Sequence, residues 1–231
     1  MTDRSLVTAT AAEVEAFLDK VRQAPSHGGT GRGRLIFALD ATASRQPSWD
    51  RAAAVQGQMF IEADRLGGLE VQLVYYRGFA ECRASRWVDR PAELVRLMAG
   101  VMCRAGETQI GRVLRHALKQ ATERRVHAVV FVGDACEEGV DELGRIAGEL
   151  ALRGVKVFLF REGEDPKAAM AFGQIAELTG GAHCRFDGGS PEQLRQLLGA
   201  VAAYAAGGRK ALLACAERAG GQVRLLARQV R

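Results

Sequence analysis

Leu35-Ile36-Phe37-Ala38-Leu39 is a run of five apolar residues that passes without transition into Asp40-Ala41-Thr42-Ala43-Ser44. A short, continuous apolar run bounded by polar residues predicts a strand buried on both faces, as in a parallel sheet. In open α/β sheets the carboxyl ends of such strands carry the ligand sites. One carboxylate and two hydroxyls gathered there are oxygen-only donors, suited to a hard cation such as Mg²⁺ or Mn²⁺. Alone, the stretch does not separate a coordination site from a turn, so the other ligands must come from elsewhere in the chain.

Upstream, Thr10-Ala11-Ala12-Glu13 has the spacing of a capping box, and Val14, Phe17, Leu18 and Val21 follow at helical intervals. Residues 1–33 therefore read as an amphipathic helix, stopped by Pro25, and a glycine-rich linker. Gly29-Thr30-Gly31-Arg32-Gly33 precedes the strand and cannot serve as a dinucleotide loop, which must follow one.

Downstream, Pro47 opens a helix predicted to run to about Leu66 and closed by Gly67-Gly68. Leu69–Tyr76 and the more polar Phe79–Trp87 read as strands joined through Gly78, the second an antiparallel edge. Helices are predicted from Pro91, over Ile110–Ala121, through Leu143–Leu150, from Pro166 and from Pro191 to Tyr204, with strands over Ala128–Val132, Val155–Phe160 and His183–Phe186. Such alternation predicts a three-layer α/β, Rossmann-like fold, its mostly parallel sheet carrying one antiparallel edge strand. The main domain is placed at 34–206, followed by a basic tail, 207–231, ambiguous between helix and strand over Val223–Val230.

Composition narrows the setting. In 231 residues no stretch approaches the length of a membrane span, and Met1–Thr10 lack the apolar core of a signal peptide. The five cysteines are odd in number and form no Cys-x-x-Cys pair, which argues against a disulfide framework or zinc site and for a reduced, cytoplasmic location. The net charge of +5 comes from arginines spread along the chain, so no nucleic-acid or membrane partner is expected. Oligomeric state is left open.

Two further oxygen donors fall at carboxyl-side positions of the predicted sheet. Thr108 lies in the glycine-led loop before the Ile110 helix, and Asp134 directly follows the Ala128–Val132 strand. With Asp40, Thr42 and Ser44 they make three hydroxyls and two carboxylates at one sheet edge. Each has a simpler role available, as a turn residue or helix cap; their convergence favours a site. This order resembles the von Willebrand factor type A (VWA) domain and its metal ion-dependent adhesion site (MIDAS). That pattern is Asp-x-Ser-x-Ser after the first strand, a Thr before a middle helix and an Asp after the fourth strand. Thr42 stands for the commoner Ser, and Gly133-Asp134-Ala135-Cys136 replaces the familiar Asp-Gly.

The resemblance, to the bacterial cytoplasmic type, covers about Arg34 to Ala206. It implies direct coordination by the hydroxyls, with the carboxylates acting mostly through water. Neutral hydroxyls leave the cation its charge and an open position for a partner's Asp or Glu. The implied function is a non-enzymatic, Mg²⁺- or Mn²⁺-dependent protein-binding module, an accessory in a larger assembly such as one with an AAA+ ATPase. The alternatives are a Mg²⁺-dependent phosphohydrolase of similar layout and a metal-free scaffold. The hydrolase needs a second acid two residues after Asp40, where Thr42 stands. Glu137 and Glu138 read as first-turn acids of the next helix or as tuning the site, and Cys136 as an inert or reactive thiol at its rim. His27, His116, His127 and His183 are assigned no role.

Overall fold

The computed structural model describes residues 32–64, 66–186, 190–219 and 221–231. The expected N-terminal helix lies outside them. Strand β1, Gly33–Asp40, has all eight residues buried, as its unbroken apolar run demands. A 3-10 turn, Ala43–Arg45, leads into α1, Gln46–Val55, and α2, Gly57–Asp64. The sequence suggested one helix here. The break falls at Gln56, next to Gly57, a weak helix former.

Strands β2, Leu69–Arg77, and β3, Glu81–Val88, form a hairpin whose turn holds Gly78 at φ 60°. Then come α3, Pro91–Ala99, α4, Ile110–Glu123, β4, Ala128–Gly133, and α5, Val140–Leu152. Next are β5, Lys156–Arg161, α6, Pro166–Thr179, and β6, Ala182–Arg185. Helix α6 shows how local chemistry sets its ends. The Asp165 side chain accepts the Lys167 N–H, Pro166 opens the first turn, and Gly180 takes a left-handed conformation at the carboxyl end. Helix α7, Pro191–Ala219, bends sharply at Gly208 (φ 67°, ψ −163°), and α8, Gly221–Gln229, ends the chain's regular structure.

The six strands lie in the order β3-β2-β1-β4-β5-β6, with only the β2–β3 pair antiparallel. Successive β1 residues point to opposite faces, so its apolar run serves two cores. Leu35, Phe37 and Leu39 pack with Trp49, Met59, Leu94 and Val201 from the α1, α2, α3 and α7 layer. Ile36 and Ala38 pack with Val113, Leu114, Ile146 and Phe172 from α4, α5 and α6. The sheet between two helical layers is the three-layer architecture the alternation predicted.

From Arg209 onward the chain does not leave this body. Leu212, Cys215, Val223, Leu226 and Val230 are buried in the same core as Leu35 and Phe37. Gln229 Oε1 accepts the His183 N–H of β6 at 2.9 Å, and the Arg231 N–H donates to Gly180 O at 3.1 Å. The segment read from sequence as a basic tail thus closes one helical layer, with its ambiguous end helical.

The chain passes from β1 to β2 and β3 on one side, then crosses back to β4 on the other. The carboxyl edge between β1 and β4 is therefore the topological switch point, where such sheets open a crevice.

Candidate metal centre

Asp40 ends β1 at this switch point and is buried. Its Oδ1 accepts the Thr42 N–H at 2.7 Å, a tight Asx-type turn that carries the chain from the strand into the 3-10 turn. Backbone bonds fix the same turn from both sides. The Ala41 N–H donates to Tyr76 O at 2.9 Å, and the Arg104 N–H donates to Ala41 O at 3.0 Å. Thr42 is buried beside Asp40, whereas Ser44 lies exposed on the 3-10 turn.

Burial raises the Asp40 carboxyl above its ordinary value, the bonds from Thr42 and the approach of the Tyr76 hydroxyl pull it back, and the nearby Asp134 charge raises it further. Beneath it lies Tyr76, fully buried and stacked on Phe131 at 6.1 Å. Its hydroxyl oxygen is buried without a full hydrogen bond. Burial, then the Asp40 charge, raises that phenol well above the usual tyrosine range. The floor of the crevice is thus a buried carboxylate with no cation beside it among the described residues, facing the Tyr76 hydroxyl.

Asp134 follows β4 and is half-buried, 33% of its side chain exposed. It does not cap α5, whose N-cap is Gly139. Its Oδ2 instead faces Arg45 Nη1 at 3.4 Å. Thr108 is buried in the loop before α4, and its hydroxyl accepts the Glu137 N–H at 2.9 Å. In return Glu137 Oε2 accepts the Thr108 N–H at 2.8 Å. Glu138 reaches the start of α4, where its carboxylate accepts the N–H groups of Ile110 and, at 2.9 Å, Gly111. The acids after Asp134 therefore do not serve the helix that follows them. They satisfy the free N–H groups and positive pole of the neighbouring helix, welding the Thr108 loop to the Asp134 loop.

Gly106 lets that loop seat against the β2–β3 hairpin: a Cβ there would lie 2.2 Å from Gly78 O. The structure thus brings Asp40, Thr42 and Asp134 to one crevice. It joins Thr108 to the same rim through Glu137 and leaves Ser44 on the adjoining turn.

Arg45 and Glu162 also stand at this rim, unanticipated from sequence. Arg45 is buried, 4% of its side chain exposed, and Nη2 lies 2.8 Å from Glu162 Oε2. Glu162 also pairs with Arg51 at 3.1 Å and accepts the Ser48 hydroxyl. Arg45 directly follows the Asp-x-Thr-x-Ser segment. The buried Cys136 thiol lies near the Glu138 carbonyl, and burial raises its pKa, so it is not activated as a thiolate. His116 bonds Gln72, and the His127 ring accepts the Arg34 N–H, both structural roles.

Among the described residues no three His, Cys, Asp or Glu side chains group to hold a metal. A cation in this crevice would therefore depend on hydroxyls as much as on carboxylates. The donors fit one: among the described residues Asp40 has no cation beside it, one Asp40 oxygen is committed to Thr42, and Asp134 pairs with a single guanidinium.

Comparisons with known proteins place the architecture. No family model matches the chain, and no curated protein matches it. Among solved structures it is similar to a von Willebrand factor type A protein from Catenulispora acidiphila, at 16% identity and TM-score 0.61, over 76% of this chain and 43% of that one. It is similar to the SpRpn10 VWA domain, at 14% identity and TM-score 0.55, over 72% of this chain and 94% of that one. A third similar structure is proximal thread matrix protein 1 from the mussel byssus with a zinc-occupied MIDAS motif, at 16% identity and TM-score 0.58, over 74% and 46%. The chain spans less than half of the first and third of these. Its fold is that of the von Willebrand factor type A domains.

Proposed function

We propose that this chain is a non-catalytic binding module that grips an acidic side chain of a partner protein through a divalent cation. Asp40, Thr42, Ser44, Thr108 and Asp134 would hold the ion, Mg²⁺ or Mn²⁺, in a MIDAS-like site. When bound, it supplies an electrophilic position that a partner's Asp or Glu can complete. The observation carrying this reading is the convergence of Asp40, Thr42 and Asp134 at the switch point, with Thr108 tied to the same rim. The zinc-occupied MIDAS of the mussel protein supports it by likeness of fold.

The surroundings suit a macromolecular partner. Phe79, 76% exposed, tips the β2–β3 hairpin, and Met102, 64% exposed, lies on the loop tied to Ala41 through Arg104. Arg77 links the two segments by donating to Met102 O at 2.7 Å. Large apolar side chains beside a polar site are the composition of an interface. An accessory role in a cytoplasmic assembly, such as one with an AAA+ ATPase, extends this reading. A phosphohydrolase would need an acid where Thr42 stands.

The test is thermal unfolding in Mg²⁺ or Mn²⁺ against EDTA, for wild type and Asp40→Asn. Metal at ~10 Kd adds about 1.4 kcal/mol, or roughly 3–6 °C for a body of this size. Wild type should show that shift and the variant should not. No shift at millimolar metal would remove the metal reading, and phosphoester turnover abolished by Asp40→Asn would replace it with the enzyme.

A further inference from the structure

Asp134 stands between two claims on its charge. One is the proposed cation; the other is Arg45, which leaves the donor segment directly after Ser44 and turns inward instead of out to solvent. Its guanidinium spans two carboxylates, 3.4 Å from Asp134 and 2.8 Å from Glu162, while its buried Nε has no hydrogen-bond partner among the described residues. The two contacts are not equivalent. Glu162 is also neutralised by Arg51 and bonded by Ser48, so it does not depend on Arg45. Asp134 has Arg45 alone as its ion-pair partner among the described residues.

From this geometry we infer that Arg45 is a tethered counter-cation that competes with the metal for Asp134 and thereby sets the metal affinity of the site. The inference rests on the metal reading above. A carboxylate drawn toward a dication, directly or through a bound water, loses charge density to it. A guanidinium held a few ångströms away repels that dication with little screening, because it is buried. Glu162 determines which cation prevails. Its bond to Arg45 Nη2 restrains the guanidinium at the longer distance from Asp134, so Glu162 acts on the metal through Arg45. The site is then poised: metal enters by taking Asp134 from Arg45, and Arg45 falls back on Glu162 when it does. Affinity then depends on two residues outside the five proposed donors, Arg45 and Glu162.

The experiment titrates Mn²⁺ into the whole 231-residue chain, following free Mn²⁺ by its electron paramagnetic resonance signal, for wild type, Arg45→Met and Glu162→Gln. Methionine keeps an apolar stem in the buried position and removes the charge. Arg45→Met should bind more tightly, within the roughly 5- to 150-fold range typical of coupled binding events. Glu162→Gln should bind more weakly, because Arg45 is released onto Asp134. In EDTA, Arg45→Met should melt below wild type, its two carboxylates left facing each other, and Mn²⁺ should close that gap.

Equal or weaker binding by Arg45→Met, with wild type binding normally, overturns the inference and leaves the metal site intact. If Arg45→Met does not fold, Glu162→Gln decides, and unchanged or tighter binding overturns the inference. Absence of Mn²⁺ binding in wild type and both variants defeats the metal reading itself, and the competition with it.

Discussion

Replacing Glu138 with alanine should loosen the site without touching a proposed ligand. Its carboxylate accepts the N–H groups of Ile110 and Gly111, which open α4 and have no carbonyl partner in the preceding turn. Both residues are buried, so water cannot fully replace the lost acceptor. Bonds to charged groups are worth about 1.5–3 kcal/mol each when cut. Glu138 is only half-buried, so the pair together contributes about 2–3 kcal/mol. In a body of about 200 residues that lowers Tm by roughly 4–12 °C.

Glu138→Gln separates hydrogen bonding from charge. Burial raises the Glu138 carboxyl above its ordinary value more than the two N–H groups lower it. The ionised form therefore bears a desolvation cost that glutamine avoids, and one acceptor oxygen remains. We expect Glu138→Gln to lose about 1 kcal/mol, with Thr108 held near its place by Glu137. Differential scanning calorimetry at neutral pH reads both variants. An alanine variant within about 0.5 kcal/mol of wild type would show that Glu138 is not the cap of α4, and that the Thr108 loop is held by other means.

Asp40→Asn should raise the melting temperature of the EDTA-treated protein at pH 7. Burial places the carboxyl above its ordinary 3.8, so the folded state holds that proton more firmly than the unfolded chain, and stability falls as pH rises through the folded value. The gap should close below pH 4; a lower melting temperature for the variant at pH 7 contradicts it. His127 and His183 titrate oppositely, each lowered by burial from 6.5 to about 4. Their contribution is complete above pH 6.5 and is lost as pH falls toward 4, so their ring resonances should stay neutral at pH 5.5; titration near 6.5 contradicts this. Truncation after Gly208 removes Leu212, Val223, Leu226 and Val230, all fully or almost fully buried. At about 1.5–3 kcal/mol each, the loss matches the stability of a whole domain, and the truncated chain should bind hydrophobic dyes and melt without cooperativity. An unchanged melting temperature contradicts the packing of that segment.

What could be read before the structure depended on how far the information lay along the chain. The buried character of β1 is written in five consecutive residues, and the edge position of β3 in its polarity and the Gly78 turn. The positions of Asp40, Thr42, Thr108 and Asp134 at one sheet edge could be placed from sequence because each stands at the boundary of an element with its own periodicity. That of Arg45 could not, since an arginine in a turn ordinarily faces water, and only β5, delivering Glu162 to the same rim, draws it inward. Of the two readings of Glu137 and Glu138, the first-turn one named the wrong helix for the same reason. Their partners lie nearly thirty residues earlier, and only the side-by-side packing of α4 and α5 brings them together. The C-terminal helices hid behind arginines whose exposed faces outweigh, in composition, the narrow stripe of Leu212, Val223 and Leu226.

A cation held at the end of β1 is tested most directly by the stoichiometry of Mn²⁺ binding to the 231-residue chain in isothermal titration. One saturable ion per chain is predicted for wild type, lost in Asp40→Asn and weakened in Thr108→Ala. No saturable binding up to millimolar Mn²⁺, or binding of equal strength in Asp40→Asn, would contradict it.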